Sequence, residues 1–338
     1  MSNPVLIEVQ APSRLHFGLL ALHPDAERRF GGVGVMVQRP GIHLHITPAK
    51  TLTVQGLLAE RAAQFARTLL NLSTPALPLR GARIDVLCAP PEHIGLGTGT
   101  QLAFAVGRGL LALAGHDGVS TRTLAVQLDR GKRSAIGLHG FAQGGLLVDA
   151  GKRADERIAP IVSRLPICRD WRFVLVIPRA LRGIHGPREV RAFDQMPSMP
   201  LSTTRELCTR VLTDLLPAAV QRDVQGFGEA VYDLNRRVGE AFASQQGGVY
   251  AGQQLTNIVE FIRAEGVAGV GQSSWGPTIF AIVADDDEAD ALARKVRMRM
   301  SLDADEVIVT EASNDGASIE NVATVTNRVA NHTSRITE

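Results

Sequence analysis

Apolar and polar residues alternate over 6–10 and again over 41–47, where Ile42, Leu44 and Ile46 share one face. A period of two predicts half-buried strands at both places. Segments 57–72 and 102–114 instead carry apolar residues at helical spacing, the second with Gly107 and Gly109 inside it. Glycine weakens a helix, so close packing against a neighbour is expected at those two positions. Segments 84–88 and 146–148 read as strands, and Ser120 reads as the cap of a helix ending near Gly131.

The polar stretch 151–160 (GKRADERIAP) marks a domain boundary. Beyond it the pattern predicts a strand at 173–177, helices at about 203–216, 219–243 and 253–265, and a strand at 267–271. An SSWG turn, a strand at 278–284, a helix at 287–300 capped by the Asp285–Asp287 run and a strand at 306–312 follow. Helices on one side of a mostly antiparallel sheet give an α+β fold. The chain divides into 1–160, 161–320 and a polar tail, 321–338, rich in Ser, Thr and Asn and expected to be partly disordered.

Composition narrows the function. With 338 residues and a formal charge of +2, the chain can hold two cores and carries no long basic run. No basic stripe with interleaved aromatics is present, so nucleic acid is not an expected partner. No segment has the roughly 20 apolar residues needed to span a bilayer, and the first residues lack a signal-peptide pattern. A cytoplasmic protein without a membrane partner is expected. Cys88, Cys168 and Cys208 show no metal-ligand spacing and are expected as buried, inert thiols in a reducing compartment. His43 and His45 share a strand face; the favoured reading is a solvated face rather than a metal pair, and no protein-held metal is expected.

The sharpest feature is the run from Pro91 to Gln101 (PEHIGLGTGTQ), directly before an apolar helix. Gly95, Gly97, Thr98, Gly99 and Thr100 leave backbone N–H groups and the positive end of a helix dipole open to a phosphate. The run lacks the Gly-Lys-Ser/Thr ending of a Walker A loop. A purely structural glycine turn is the competing reading, and the hydroxyls favour phosphate.

The string Pro-x-x-x-Gly-Leu-Gly-x-Gly-Thr, from Pro91 to Thr100, resembles the second motif of the GHMP superfamily of small-molecule kinases, and Ala11–Gly18 (APSRLHFG) resembles its first. The resemblance implies a two-domain GHMP-kinase fold, with an N-terminal domain like ribosomal protein S5 domain 2 and a ferredoxin-like C-terminal domain. Three departures argue against kinase chemistry. No acid occurs in 131–143, where many of these kinases place a catalytic Asp ahead of a Gly-Gly pair, here Gly144-Gly145. The second motif ends Thr100-Gln101, and Trp275 interrupts the third glycine loop (GQSSWGPT, 271–278).

With RSAIG (133–137), FAQGGLLVDAG (141–151) and the segment around His185 and Glu189, the set is similar to the β-ribofuranosylaminobenzene 5′-phosphate synthase family, which opens methanopterin biosynthesis. That similarity implies phosphoribosyl pyrophosphate and an aromatic acid (4-aminobenzoate or 4-hydroxybenzoate) as substrates. It also implies loss of carbon dioxide and pyrophosphate, Mg²⁺ carried by pyrophosphate, and a homodimer. An ATP-dependent kinase whose acid lies elsewhere and a non-catalytic ligand-binding relative are the alternatives.

For the reaction implied, Arg14, His16, His139 and Glu189 are the candidate catalytic groups. The 95–101 loop including Gln101 is the expected pyrophosphate cradle. Arg14, Arg133, Arg179, Arg182 and Arg188 are candidate cations for the 5′-phosphate, with Ser134 and His185 as further substrate-binding candidates. Ser273, Ser274 and Trp275 are expected to form a flat slot for the aromatic ring. His139 is equally readable as a structural histidine, and Glu189 as the partner of an arginine.

Overall fold

The computed structural model describes residues 5–72, 77–183, 191 and 198–322. Two long strands, β1 (Ile7–Ala21) and β2 (Phe30–Pro48), form an antiparallel hairpin at the centre of a seven-stranded sheet. Their outer halves alternate in burial, as at Ile42, Leu44 and Ile46, because one face meets water. From Ala11 along β1, and over 31–37 of β2, nearly every residue is buried, since both faces are covered there. The period of two fades at that point, so the strands run well beyond the segments predicted from alternation.

Around the hairpin lie β3 (Thr53–Gly56), β4 (Ala82–Cys88), β5 (Leu146–Asp149), β6 (Ile161–Leu165) and β11 (Ser318–Asn321). The polar stretch 151–160 joins β5 to β6 within this sheet, so the chain leaves the sheet only after Leu165. Strand β11 returns from the far end of the described chain to pair with β1, Gln10 opposite Ser318.

Helices α1 (Ala59–Leu70), α2 (Thr98–Leu113), α3 (Thr121–Gln127) and α4 (Ile136–Gln143) belong to this half. Helix α2 is buried along most of its length. A Cβ on Gly109 would fall 2.5 Å from Ile46 Cδ1, and one on Gly107 2.9 Å from Leu124. The two glycines therefore trade helix propensity for contact with the sheet and with α3. Ser120 caps α3 by accepting from the Thr123 N–H at 3.0 Å.

The second half is a four-stranded sheet ordered β10-β7-β9-β8, with β7 (Arg172–Val176), β8 (Gly269–Gln272), β9 (Ile279–Val283) and β10 (Val307–Glu311). Its helices are α5 (Leu201–Arg210), a π-helical turn (Val211–Leu215), α6 (Leu216–Gln221), α7 (Val224–Gln246), α8 (Gln253–Ala264) and α9 (Asp286–Met300). Asp285 caps α9 through the Glu288 N–H. The largest core cluster joins the two halves, packing Leu15 and Phe17 of β1 against Phe173, Phe227 and Phe280.

Two expectations need correction. Cys88 and Cys208 are exposed and Cys168 is half-buried, because Cys88 ends β4 and Cys208 lies on a helix covered only along Leu207. His43 is not simply solvated: its Nε2 lies 2.7 Å from Glu8 Oε1, with His45 Nε2 3.9 Å from the same oxygen. Most of the polar tail lies outside the described residues. Among the described residues, no helix is long and apolar enough to cross a membrane.

Candidate active site

Three sequence segments far apart in the chain are laced together where the halves meet. The Arg14 N–H donates to Leu96 O at 3.0 Å, and the His16 N–H to Ser273 Oγ at 3.0 Å. Ser273 Oγ in turn donates to Gly95 O at 2.7 Å, and Thr278 Oγ1 donates to Ile94 O at 2.5 Å. Gly276 packs so tightly on the 94–95 backbone that no Cβ fits there. β1, the 94–100 loop and the 273–278 loop thus form one polar seam, whose buried hydroxyls all find partners.

A cavity of about 410 Å³ opens beside the seam. Gly97 caps α2 with φ of +70°, and a Cβ there would press on Arg14 at 3.3 Å, so glycine is demanded twice. The first turn of α2 (Thr98, Gly99, Thr100) faces the cavity, while Thr98 Oγ1 donates to Pro91 O and anchors the loop. The Arg14 guanidinium donates to Ser274 Oγ at 3.2 Å and reaches Gly95 O at 3.5 Å.

The opposite wall is aromatic. Trp275 meets Phe242 edge to face with centroids 5.0 Å apart, and Phe17 and Val238 continue the surface. Asn235 holds this wall in register: Nδ2 donates to Phe17 O at 2.6 Å and to Gln272 O at 2.9 Å, and Oδ1 accepts from the Gln272 N–H at 2.9 Å.

The electrostatics are one-sided. Five cations (Arg14, Arg61, Arg130, Lys132 and Arg133) line the cavity against two carboxylates. Those carboxylates already face cations: Glu92 lies 3.6 Å from Arg61, and Asp129 lies 2.6 Å from Lys132. His16 is 3 % exposed. Burial first and Arg14 second hold its imidazole well below the ordinary histidine range, so it is neutral at pH 7. Its Nε2 has no hydrogen-bond partner among the described residues.

Arg14, His16, Gly95, Gly97, Thr98, Gly99, Thr100, Arg133, Ser134, Ser274 and Trp275 all line the cavity. Gln101 and Ser273 stand behind it: Gln101 Nε2 donates to Gly137 O at 2.9 Å, and Ser273 belongs to the seam. His139 is turned away and lies 3.0 Å from Ala159 O, a structural role. Arg179 is also elsewhere, paired with Asp303 and Asp305, and Arg182 donates to the Arg179 and Leu181 carbonyls. His185, Arg188 and Glu189 lie outside the described residues.

The sequence reading missed Asp149, which is fully buried. It accepts from Ser134 Oγ at 2.8 Å and from the Ala135 and Gly151 N–H groups, and so fixes the turn that presents Ser134. Burial pushes its carboxyl upward despite these bonds. Its signal is the acid in VDAG, which follows the glycine pair rather than preceding it. Asn235 and Gly239 also went unread, although a polar and a small residue four apart on the buried face of an amphipathic helix mark a contact point.

A fold of this kind, with a glycine-capped helix opening on a cationic cleft between two α+β halves, defines a protein of the GHMP-kinase fold. The GHMP kinases C terminal family matches residues 215–301. Two solved structures share the architecture at identities that speak for fold alone. Homoserine kinase of Cytophaga hutchinsonii has a TM-score of 0.63 and 14% identity, over 95% of this chain and 99% of that one. Mevalonate diphosphate decarboxylase of Staphylococcus aureus has a TM-score of 0.62 and 13% identity, over 94% and 98%.

Sequence similarity is more specific. Beta-ribofuranosylphenol 5′-phosphate synthase of Archaeoglobus fulgidus is 32% identical over 93% of this chain and 100% of its own length. The protein of the same name from Methanothermobacter thermautotrophicus is 27% identical over 91% and 97%. The chain belongs to the beta-ribofuranosylphenol 5′-phosphate synthase family.

Proposed function

We propose that the chain joins the phosphoribosyl group of phosphoribosyl pyrophosphate to an aromatic acid, releasing pyrophosphate and carbon dioxide, as a step in methanopterin biosynthesis. The observation that carries this reading is one cavity holding both a cationic, glycine-lined helix start and an aromatic wall, with each of its carboxylates already beside a cation. A kinase of this fold would want a carboxylate free to accept a hydroxyl proton, which disfavours ATP-dependent phosphorylation.

The reaction needs no net proton transfer to the protein. The bond from C1 of the ribose to the diphosphate breaks, its electron pair leaving with pyrophosphate. The ring carbon bearing the carboxylate bonds to C1, and the carboxylate then departs as carbon dioxide, returning its bonding pair to the ring. A donor para to the carboxylate stabilises the ring cation between these steps. The relatives are named for a phenol product, so 4-hydroxybenzoate is the proposed acceptor and 4-aminobenzoate the alternative.

Arg14 would pair with the acid's carboxylate, and the uncommitted Nε2 of neutral His16 with the para group. Same-face residues of a strand lie about 7 Å apart, close to the length of such a benzoate. Trp275 and Phe242, packed edge to face, would form one wall against the ring. Glu92 fits Mg²⁺, since its Oε1 stands 3.6 Å from where a Cβ on Gly99 would lie and so shares the space above the start of α2. Bound with pyrophosphate, the ion would neutralise charge on the leaving group.

Carboxyl-labelled 4-hydroxybenzoate and 4-aminobenzoate, each with phosphoribosyl pyrophosphate and Mg²⁺, test the reading. Label released as carbon dioxide only when the sugar donor is present is the expected result. No release from either acid would sink it, and the acid turned over faster names the acceptor.

A further inference from the structure

Away from the seam, α1 and the turn after α3 bring two guanidinium groups onto one ring. Arg61 lies 5.0 Å and Arg130 4.9 Å from the centroid of Phe65, which is itself buried. Arg61 and Phe65 are one helical turn apart, and Arg130 is held by its N–H bond to Ala125 O at 2.7 Å. Two like charges share this platform, and Glu92 pairs with Arg61 at 3.6 Å without a direct hydrogen bond. The other nearby acid, Asp129, is occupied by Lys132. The buried Nε atoms of both arginines lack hydrogen-bond partners among the described residues. Burial, and then the charge of Arg61, lower the pKa of Arg130, with Asp129 and Glu92 offsetting the shift only in part.

Position gives the pair its meaning. Gly97 abuts Arg14, Gly99 faces Glu92, and Glu92 faces Arg61, so the start of α2 lies between the Arg14 and Trp275 end and the Arg61 and Arg130 end. We propose that Arg61 and Arg130, stacked on Phe65, form a second anion subsite that takes the outer phosphate of the donor's diphosphate. The donor then enters in one direction only, with its diphosphate toward α1 and its reacting carbon toward the aromatic wall. This assignment rests on the transferase reading for the identity of its ligand, but not for the presence of the subsite.

Calorimetric titration of the full chain with inorganic pyrophosphate, and separately with 4-hydroxybenzoate, tests it. Charge-assisted hydrogen bonds to phosphate predict that R61Q/R130Q weakens pyrophosphate binding about 10- to 100-fold. Binding of the aromatic acid should stay within about twofold, and in turnover KM for the sugar donor should rise far more than kcat falls. R61K/R130K keeps both charges but loses the planar stack and the fork, and should recover part of the affinity lost in R61Q/R130Q, which a packing role alone would not predict. Should the glutamine pair fail to fold, R130Q alone gives the same reading at about tenfold. Arginine-dependent pyrophosphate binding in a protein that releases no carbon dioxide supports the subsite and sinks the transferase reading. Unchanged pyrophosphate affinity in a folded, active variant overturns the subsite and leaves that reading standing, and loss of both ligands together also overturns it.

Discussion

At the α2 end of the cavity the chain offers backbone and charge: a glycine cap, a helix start, and long cationic side chains. At the Trp275 end it offers rigid side chains, an edge-to-face aromatic pair clamped by the three hydrogen bonds of Asn235. Polyphosphates are flexible and are held by charge from many directions, whereas a planar ring is held by shape. One half of the molecule supplies most of the charge and the other most of the shape, and Arg14 on β1 touches both.

That division can be broken deliberately. Arg14→Gln should give the largest loss, about 10²- to 10³-fold in kcat/KM, as for removal of a charge-stabilising donor from an active site. Steady-state kinetics with both substrates check it, and a loss below about tenfold would remove Arg14 from the chemistry. Asn235→Ala should lower stability by about 3 kcal/mol, since two buried carbonyls and an N–H lose their partner. Urea unfolding measures this, and a loss near zero would mean that the aromatic wall is held by packing alone.

Trp275→Leu sharpens the contrast. It should raise KM for the aromatic acid about tenfold and leave that for the sugar donor within about twofold, because only edge-to-face contact and area are lost. Equal effects on both substrates would deny the separation. The smallest expected effect is in pH. His16 stays neutral when folded, but its unfolded form takes a proton below the ordinary value of 6.5. The unfolded state therefore binds more protons in that window, and stability falls as pH drops below 6.5, by at most about 1.4 kcal/mol per pH unit. H16Q should flatten that slope in thermal unfolding between pH 6.5 and 5.5.

Much of this was legible from residue patterns, for reasons that also mark the limits. Alternation showed β1 and β2 only where one face meets solvent, and their doubly buried halves carry no period. Helix α4 (IGLHGFAQ) went unread because its glycines pack against Met36 and Gln101 and blur the helical spacing. The glycine loop was readable because glycines and hydroxyls before an apolar helix leave a local signature, whereas SRLHFG and SSWG were singled out by their resemblance to the family's motifs. Arg61 and Arg130 have none, since the ring that unites them is visible only after α1 and α3 have packed. Arg179 shows the converse: a plausible phosphate cation by motif, it is claimed by Asp303, 124 residues away.

The short return strand β11 has a consequence for how the molecule comes together during synthesis. The outer half of β1, Ile7 to Gln10, is flanked by β2 on one side and by Ser318 to Asn321 on the other. From the completion of β1 the nascent chain carries that strand edge bare, with unpaired amides, until roughly 300 further residues have emerged. Closing so long a loop is slow, and exposed strand edges invite pairing with other chains. The last described strand thus acts as a latch, and a ribosome-bound chain lacking it should be the form of this protein most dependent on a chaperone.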